Sequence, residues 1–192
     1  MQQPGGISHI ATRAVYERFS FDNPEDRSRF LGVLGEVVEA CGWQCKSYCL
    51  MGSHYHLILQ TPHANLSLGM QMLNGKYAQR FNGRHRRHGH LFGSRFYSVL
   101  IESDRHLYAA LRYVARNPVE AGICRGPADW RWSSYRATIG LEPAPRLLDS
   151  EGLLRLFGPA RRSAREQFIR LVEGPEPADL PDEGALIRMD GF

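Results

Sequence analysis

Two histidines one residue apart, His54 and His56, and a tyrosine and an asparagine four apart, Tyr113 and Asn117, are the side chains of this 192-residue sequence whose types and spacing could do chemistry. Successive side chains on a strand alternate faces, so His54 and His56 project to one side about 7 Å apart, with Tyr55 on the other. Two imidazoles so placed can share a metal ion. A His-x-His pair is a weak signal by itself, because histidines on a sheet face are more often structural; a third ligand and a reacting group are needed. Residues four apart on a helix stand one above the other, so Tyr113 and Asn117 share a face. If that face looks onto the histidines, Asn117 offers an amide oxygen to the same ion, and Tyr113 becomes a nucleophile beside a Lewis acid. The plainer reading makes Tyr113 a core aromatic among Leu107, Leu111 and Val114, and makes Asn117 the usual helix stop before Pro118.

The surrounding pattern supplies elements to carry these groups. Ile7 to Val15 alternates loosely and reads as a first strand. Asp22-Asn23-Pro24 is a cap followed by proline at the first helical position, opening a helix through Phe30, Leu31, Leu34, Val37 and Val38 that ends at Gly42. Gln44 to Leu50 and His54 to Gln60 read as two strands joined by a hairpin at Met51-Gly52-Ser53. Asn65 to Phe81 has helical spacing, Asn82 to Gly93 is a loop rich in Gly, Arg and His, and Phe96 to Ile101 is a fourth strand. Ser103 caps a third helix that runs to Asn117 and stops at Pro118. Four antiparallel strands with flanking helices make an α+β domain with helices on one face of a small sheet. Trp130, Trp132 and Tyr135 read as a cover for the core. Beyond them, Pro143 to Pro145 reads as a linker, Ser150 to Phe157 and Ala160 to Val172 as short helices, and the stretch from Gly174 as a poorly ordered tail. The chain thus divides into a domain of residues 1–140 and an extension of residues 141–192.

Composition narrows the function classes. No apolar run approaches the roughly 20 residues of a membrane span, and Met1 to Gly6 lacks the pattern of a secretory signal, so a cytoplasmic location is expected. Cys41, Cys45 and Cys49 recur every four residues, a spacing unlike common zinc sites, and read as small buried hydrophobes. Charge is unevenly spread: no acidic residue stands between Glu39 and Glu102, whereas Lys76, Arg80, Arg84, Arg86, Arg87 and Arg95 fall inside that interval. A local positive field of this kind suits nucleic acid, and Phe81, Phe92 and Phe96 either stack on bases or belong to the core.

Four segments in order resemble the single-tyrosine HUH transposases, closest to the branch of REP-associated tyrosine transposases. They are Met51 to Leu59, Phe81 to His85, Gly89 to Phe92 with Arg95-Phe96, and Leu111 to Val114 with Asn117-Pro118-Val119. The resemblance covers roughly residues 4 to 136; Ser53 stands where many relatives have Asn. It implies a ferredoxin-like antiparallel sheet with helices mainly on one face, plus a short helical C-terminal extension. It also implies His54 and His56 as metal ligands, Tyr113 as the nucleophile, and Asn117 as third ligand or substrate-positioning group. Mg²⁺ or Mn²⁺ is the ion implied, although imidazoles alone also suit Zn²⁺, Ni²⁺ or Co²⁺. The expected activity is that of a DNA transposase or single-strand endonuclease acting on single-stranded or hairpin DNA through a 5′-phosphotyrosine, with a homodimer as one arrangement. Two rivals stand beside it: a catalytically silent DNA- or RNA-binding regulator on the same fold, and a metal-dependent phosphohydrolase that does not use the tyrosine.

Overall fold

A computed structural model describes residues 3–15, 20–93, 96–175 and 177–182. The elements follow the order β1 (Ile7–Arg13), α1 (Pro24–Cys41), β2 (Gln44–Leu50), β3 (His54–Gln60), α2 (Leu66–His85), β4 (Tyr97–Ile101) and α3 (Asp104–Glu120). Beyond α3 the described residues form a 3-10 turn (Pro127–Asp129) and the helices α4 (Tyr135–Ile139), α5 (Ser150–Arg155) and α6 (Arg161–Glu173). The four strands form one antiparallel sheet in the order β2-β3-β1-β4. This βαββαβ arrangement is the ferredoxin-like topology, so the α+β reading holds.

Local chemistry fixes the ends of the elements. Asn23 caps α1 by accepting a hydrogen bond from the Asp26 N–H at 3.0 Å, with Pro24 following it, and Gly42 ends the helix in the left-handed region at φ 65°. Ser103 caps α3 in the same way, accepting from the His106 N–H at 3.2 Å. Three boundaries differ from the sequence reading. The first strand ends at Arg13 rather than Val15. Helix α2 runs four residues past Phe81, to His85, and stops with Arg86 at φ 51°, because Arg84 and His85 find carboxylate partners on α1 that hold this turn in helical form. Helix α3 continues through Pro118 to Glu120; proline's fixed φ is helical, so near a helix end it costs one hydrogen bond without forcing a stop.

The distribution of helices is the particular that departs from expectation. Tyr55, Leu57 and Leu59 point to one side of β3, where α1 and α2 pack over them with Ile10, Tyr48 and Leu50. Ile58 points to the other side, joining Cys49, Leu107, Leu111, Val114 and the α6 residues Phe168 and Val172. The sheet is therefore covered on both faces rather than mainly on one. The physical reason lies in β3 itself, whose central residues are buried without regard to alternation. The extension after residue 140 joins this second layer through Leu153, Leu154, Phe168 and Val172, and the Asp149 N–H bonds the Cys45 carbonyl at 2.8 Å, tying the chain to β2 before α5 begins. Among the described residues no helix is long and apolar enough to cross a membrane.

Other expectations resolve directly. Trp132 is buried in the first core and Tyr135 in the second, with Trp130 packed against both, so the three do not form one cover. Phe81 and Phe92 are core residues as well, with Phe96 packed against them, so the base-stacking reading falls for the first two. Their rings complete an aromatic cluster with Tyr77 and Tyr55. Cys45 and Cys49 are buried in the two different cores on opposite faces of the sheet and cannot share a ligand. Burial pushes both thiols up, Cys45 to about 12, as befits small hydrophobes. The acidic tail beyond Asp182, with Glu183, and Glu176 before it, lies outside the described residues.

Candidate active site

Strand register brings the candidate groups together. Across the β1–β3 ladder Arg13 stands opposite His54 and Ala11 opposite His56. Directly paired residues project to the same face, so His9, Ala11, Arg13, His54 and His56 share the face covered by α3. Helix α3 buries Leu107, Ala110, Leu111 and Val114 against that face, and this seating carries Tyr113 and Asn117 over the histidines.

The contacts are close. The His54 and His56 ring centroids are 5.2 Å apart, and the Tyr113 ring meets His56 edge-on at 5.4 Å. Asn117 Oδ1 is 3.4 Å from His54 Nε2, while the Ser53 hydroxyl stands 3.3 Å from His54 Nδ1. All of these residues come from one chain, so a second copy is not needed to complete the cluster. Tyr113 is half-buried rather than sealed inside, and so are His54 and Asn117. The face of α3 that carries Tyr113 and Asn117 looks onto the histidines; Tyr113 also packs against the second core, as its plainer reading expected, whereas α3 runs past Asn117 to Glu120.

The electrostatics favour neutral imidazoles. Burial pushes His54 down to about 4, with Arg13 adding to the shift and the Asn117 contact opposing it. His56 is fully buried and held well below its ordinary value by the same desolvation, then by its His9 and His54 neighbours. A neutral imidazole keeps the lone pair that ligation requires.

Whether these residues suit a divalent ion can be judged from two features. His56 Nε2 is buried with no hydrogen-bond partner, a state that costs about 1–3 kcal/mol when nothing occupies it. His54 Nε2 and Asn117 Oδ1 are 3.4 Å apart, close to the roughly 3 Å that separates adjacent ligands of an octahedral ion bound at about 2.1 Å. Two imidazole nitrogens and one amide oxygen are a donor set that fits such an ion. Asp22, Asp26 and His85 also lie close enough together to hold a metal. Those carboxylates already pair with Arg84 and Arg87, and they belong to the α1–α2 side of the sheet, away from Tyr113.

The basic interval behaves differently from its sequence. Lys76 and Arg80 pair with Glu36 at 3.3 and 3.0 Å, Arg84 with Glu25 at 2.7 Å and with Asp26, and Arg87 with Asp22 at 3.4 Å. An acid-free stretch of sequence does not make an acid-free surface, because folding lays the carboxylates of α1 along α2. These cations also lie with α2, on the sheet face opposite the histidines. Arg86 is exposed at the end of α2. Arg95 lies outside the described residues.

Three groups escaped the sequence reading: His9, Arg13 and Arg112. His9 is fully buried, with its Nε2 3.2 Å from His56 Nδ1 and its ring 5.7 Å from that of Tyr113. The alternation of β1 places His9, Ala11 and Arg13 on one face, but only the register with β3 turns that face toward the histidines. Arg112, buried beside Tyr113 in sequence, donates to the carbonyls of Leu171, Val172 and Gly174 at the end of α6.

The model of the family described as "Transposase IS200 like" matches residues 4–117, more than half of the chain and all of the cluster. The chain belongs to that family. A transposase-type function follows, and with it a DNA-cleaving class of enzyme. Among solved structures, a REP-associated tyrosine transposase bound to a REP hairpin shares the fold at 17% identity and a TM-score of 0.64, over 78% of this chain and 91% of that one. The tRNA(His) guanylyltransferase of Saccharomyces cerevisiae is a weaker likeness, at 11% identity and a TM-score of 0.46 over 93% of this chain and 82% of that one. No curated protein matches in sequence.

Proposed function

We propose that this IS200-like transposase cuts single-stranded or hairpin DNA by attack of the Tyr113 phenol on a phosphodiester. His54, His56 and Asn117 would hold a divalent ion, Mg²⁺ or Mn²⁺, which when bound draws charge from a non-bridging phosphate oxygen. The observation that carries this reading is the meeting of the Tyr113 ring with His56 at 5.4 Å while Asn117 Oδ1 and His54 Nε2 converge beside it.

The residues divide the work. The Tyr113 oxygen forms a bond to phosphorus, and the bond from phosphorus to the 3′ oxygen breaks. The phenol proton leaves to solvent, and the departing oxygen takes up a proton to become a 3′ hydroxyl. A 5′-phosphotyrosine ester remains, storing the bond energy for attack by a second DNA end. Helix α3, seated by Leu107, Leu111 and Val114, holds the phenol in place, so orientation is fixed before substrate arrives. Arg13, cross-strand from His54, offers positive charge on the reacting face, and Arg86 supplies a backbone contact at the end of α2. The REP hairpin of the solved relative supports a structured single strand as the substrate class.

The test is a covalent adduct. Incubated with hairpin-bearing single-stranded DNA and Mn²⁺, the protein is expected to form a denaturation-resistant complex that Tyr113→Phe abolishes. Cleavage that persists in Tyr113→Phe would instead favour a hydrolase, and binding without cleavage by the unaltered protein a silent regulator.

A further inference from the structure

We propose that His9 is a positioning residue that fixes the tautomer of His56, accepting a hydrogen bond from its Nδ1–H so that the Nε2 lone pair is presented to a divalent cation. The inference rests on the reading of His56 as a ligand and adds a residue that neither its spacing nor the family match singles out.

Geometry leaves few alternatives. His9 and His56 are both fully buried, and their Nε2 and Nδ1 atoms are 3.2 Å apart. One hydrogen lies between them. If His9 supplied it, His56 would carry its own proton on Nε2, which is buried without any acceptor, leaving an unsatisfied donor and no lone pair for ligation. If His56 supplies it from Nδ1, His56 Nε2 is a bare lone pair, the form a metal binds. Histidine ligands commonly have their second nitrogen fixed by an outer partner in this way. Here the partner is another imidazole rather than a carboxylate or a carbonyl.

The sheet is built to allow this contact. His56 is paired directly with Ala11, and His9 is its diagonal neighbour two residues along β1. A methyl group at position 11 leaves the space through which the two larger rings meet, at a centroid separation of 5.3 Å. His9 also packs edge-on against Tyr113 at 5.7 Å. A single buried ring thus touches both the proposed ligand and the proposed nucleophile and holds them in fixed relation.

Two measurements decide the matter, and neither depends on turnover. Long-range ¹H–¹⁵N spectra of the metal-free protein should show His56 protonated at Nδ1, with Nε2 as a pyridine-type nitrogen; the opposite tautomer overturns the proposal. Mn²⁺ titrations of folded variants, with thermal unfolding as the control, should show His9→Met binding about 10–100-fold more weakly, the usual loss when an outer partner of a ligand is removed. His9→Gln, whose amide oxygen can accept the same bond, should recover most of the affinity. A His9→Met protein that binds Mn²⁺ like the parent, or a His9→Gln protein as weak as His9→Met, sinks the assignment. His56→Ala separates the levels: if it leaves Mn²⁺ binding intact, the metal site falls and this inference with it. If it abolishes binding while His9→Met does not, the role of His9 alone is lost.

Discussion

Replacing Arg112 by methionine should undock helix α6 from the helix that carries Tyr113. The last carbonyls of a helix have no partners within it. In α6 those of Leu171 and Val172, with that of Gly174 beyond, accept from Arg112 Nη1 at 2.5, 3.0 and 3.0 Å. A hydrogen bond from a charged donor contributes about 1.5–3 kcal/mol. One nitrogen carries two hydrogens, so the three contacts amount to about two bonds, or about 3–6 kcal/mol gross. Methionine keeps the apolar packing of the stem, and Arg116 still reaches the Val172 carbonyl at 3.4 Å. A net loss of about 3 kcal/mol is expected, which at about 2–4 °C per kcal/mol for a chain of this size lowers Tm by about 6–12 °C. Calorimetry measures the shift. Hydrogen exchange locates it: amides of Arg161–Glu173 should lose protection while those of β1 and β3 keep theirs. A Tm within about 2 °C of the parent, with α6 still protected, would refute the claim that this guanidinium braces α3.

Other perturbations give readings of their own. A methyl group at Gly69 would overlap the Trp43 ring and come within 3.0 Å of Cys41 Sγ, so Gly69→Ala should cost about 1–3 kcal/mol in a denaturant titration while leaving Mn²⁺ affinity unchanged. Removing the amide in Asn117→Ala should weaken Mn²⁺ binding at least as much as the ~10–100-fold typical of outer-shell partners; calorimetric titration that finds no change would remove Asn117 from the ligand set. In metal-free protein, the depressed His54 value of about 4 means that below pH ~6.5 the unfolded chain takes up a proton the folded chain refuses. Stability should therefore fall as pH drops from about 6.5 toward 4, by up to about 3 kcal/mol before solvent screening of this half-buried ring is allowed for, with His56 acting in the same direction; denaturant midpoints that stay flat over that range count against the burial argument. For DNA, Arg86→Gln should reduce the salt slope of single-strand binding by about one contact, whereas Arg80→Gln, whose parent side chain is occupied by Glu36, should change it less.

The strand that carries the histidines and its hairpin partner were legible because three small or flexible residues separate two runs of strand formers, and β2 and β3 lie where that pattern puts them. The α1 cap at Asn23-Pro24 and the α3 cap at Ser103 were equally plain, since side-chain chemistry within four residues decides them. What escaped depends on contacts distant in sequence. Helix α2 outran its apolar stripe because carboxylates from α1, some sixty residues earlier, hold Arg84 and His85. The basic interval looked unopposed for the same reason: linear distance from Glu36 to Arg80 says nothing of their 3.0 Å approach. His9 was invisible because alternation in β1 gives its face but not its register. A slip of one residue against β3 would have sent it into the other core.

The split of helices over two faces, missed by a pattern that suggested one, is what gives the site its chemistry. A strand open to water on one side would leave His54 and His56 solvated and able to protonate near neutrality. Covering that side with α3 desolvates them, and desolvation is the first cause of the lowered value at both rings. The same burial therefore stabilises the fold through Ile58, Leu111 and Val114 and keeps two imidazole lone pairs available beneath the helix of the proposed nucleophile. The helix that excludes water is also the one that delivers Tyr113, so loosening α3 should damage metal affinity and adduct formation together. Variants of its apolar face, Leu111→Ala for one, offer a direct check: adduct loss with Mn²⁺ affinity intact would mean that the roof and the nucleophile are separable, and that burial of the imidazoles is maintained by something other than α3.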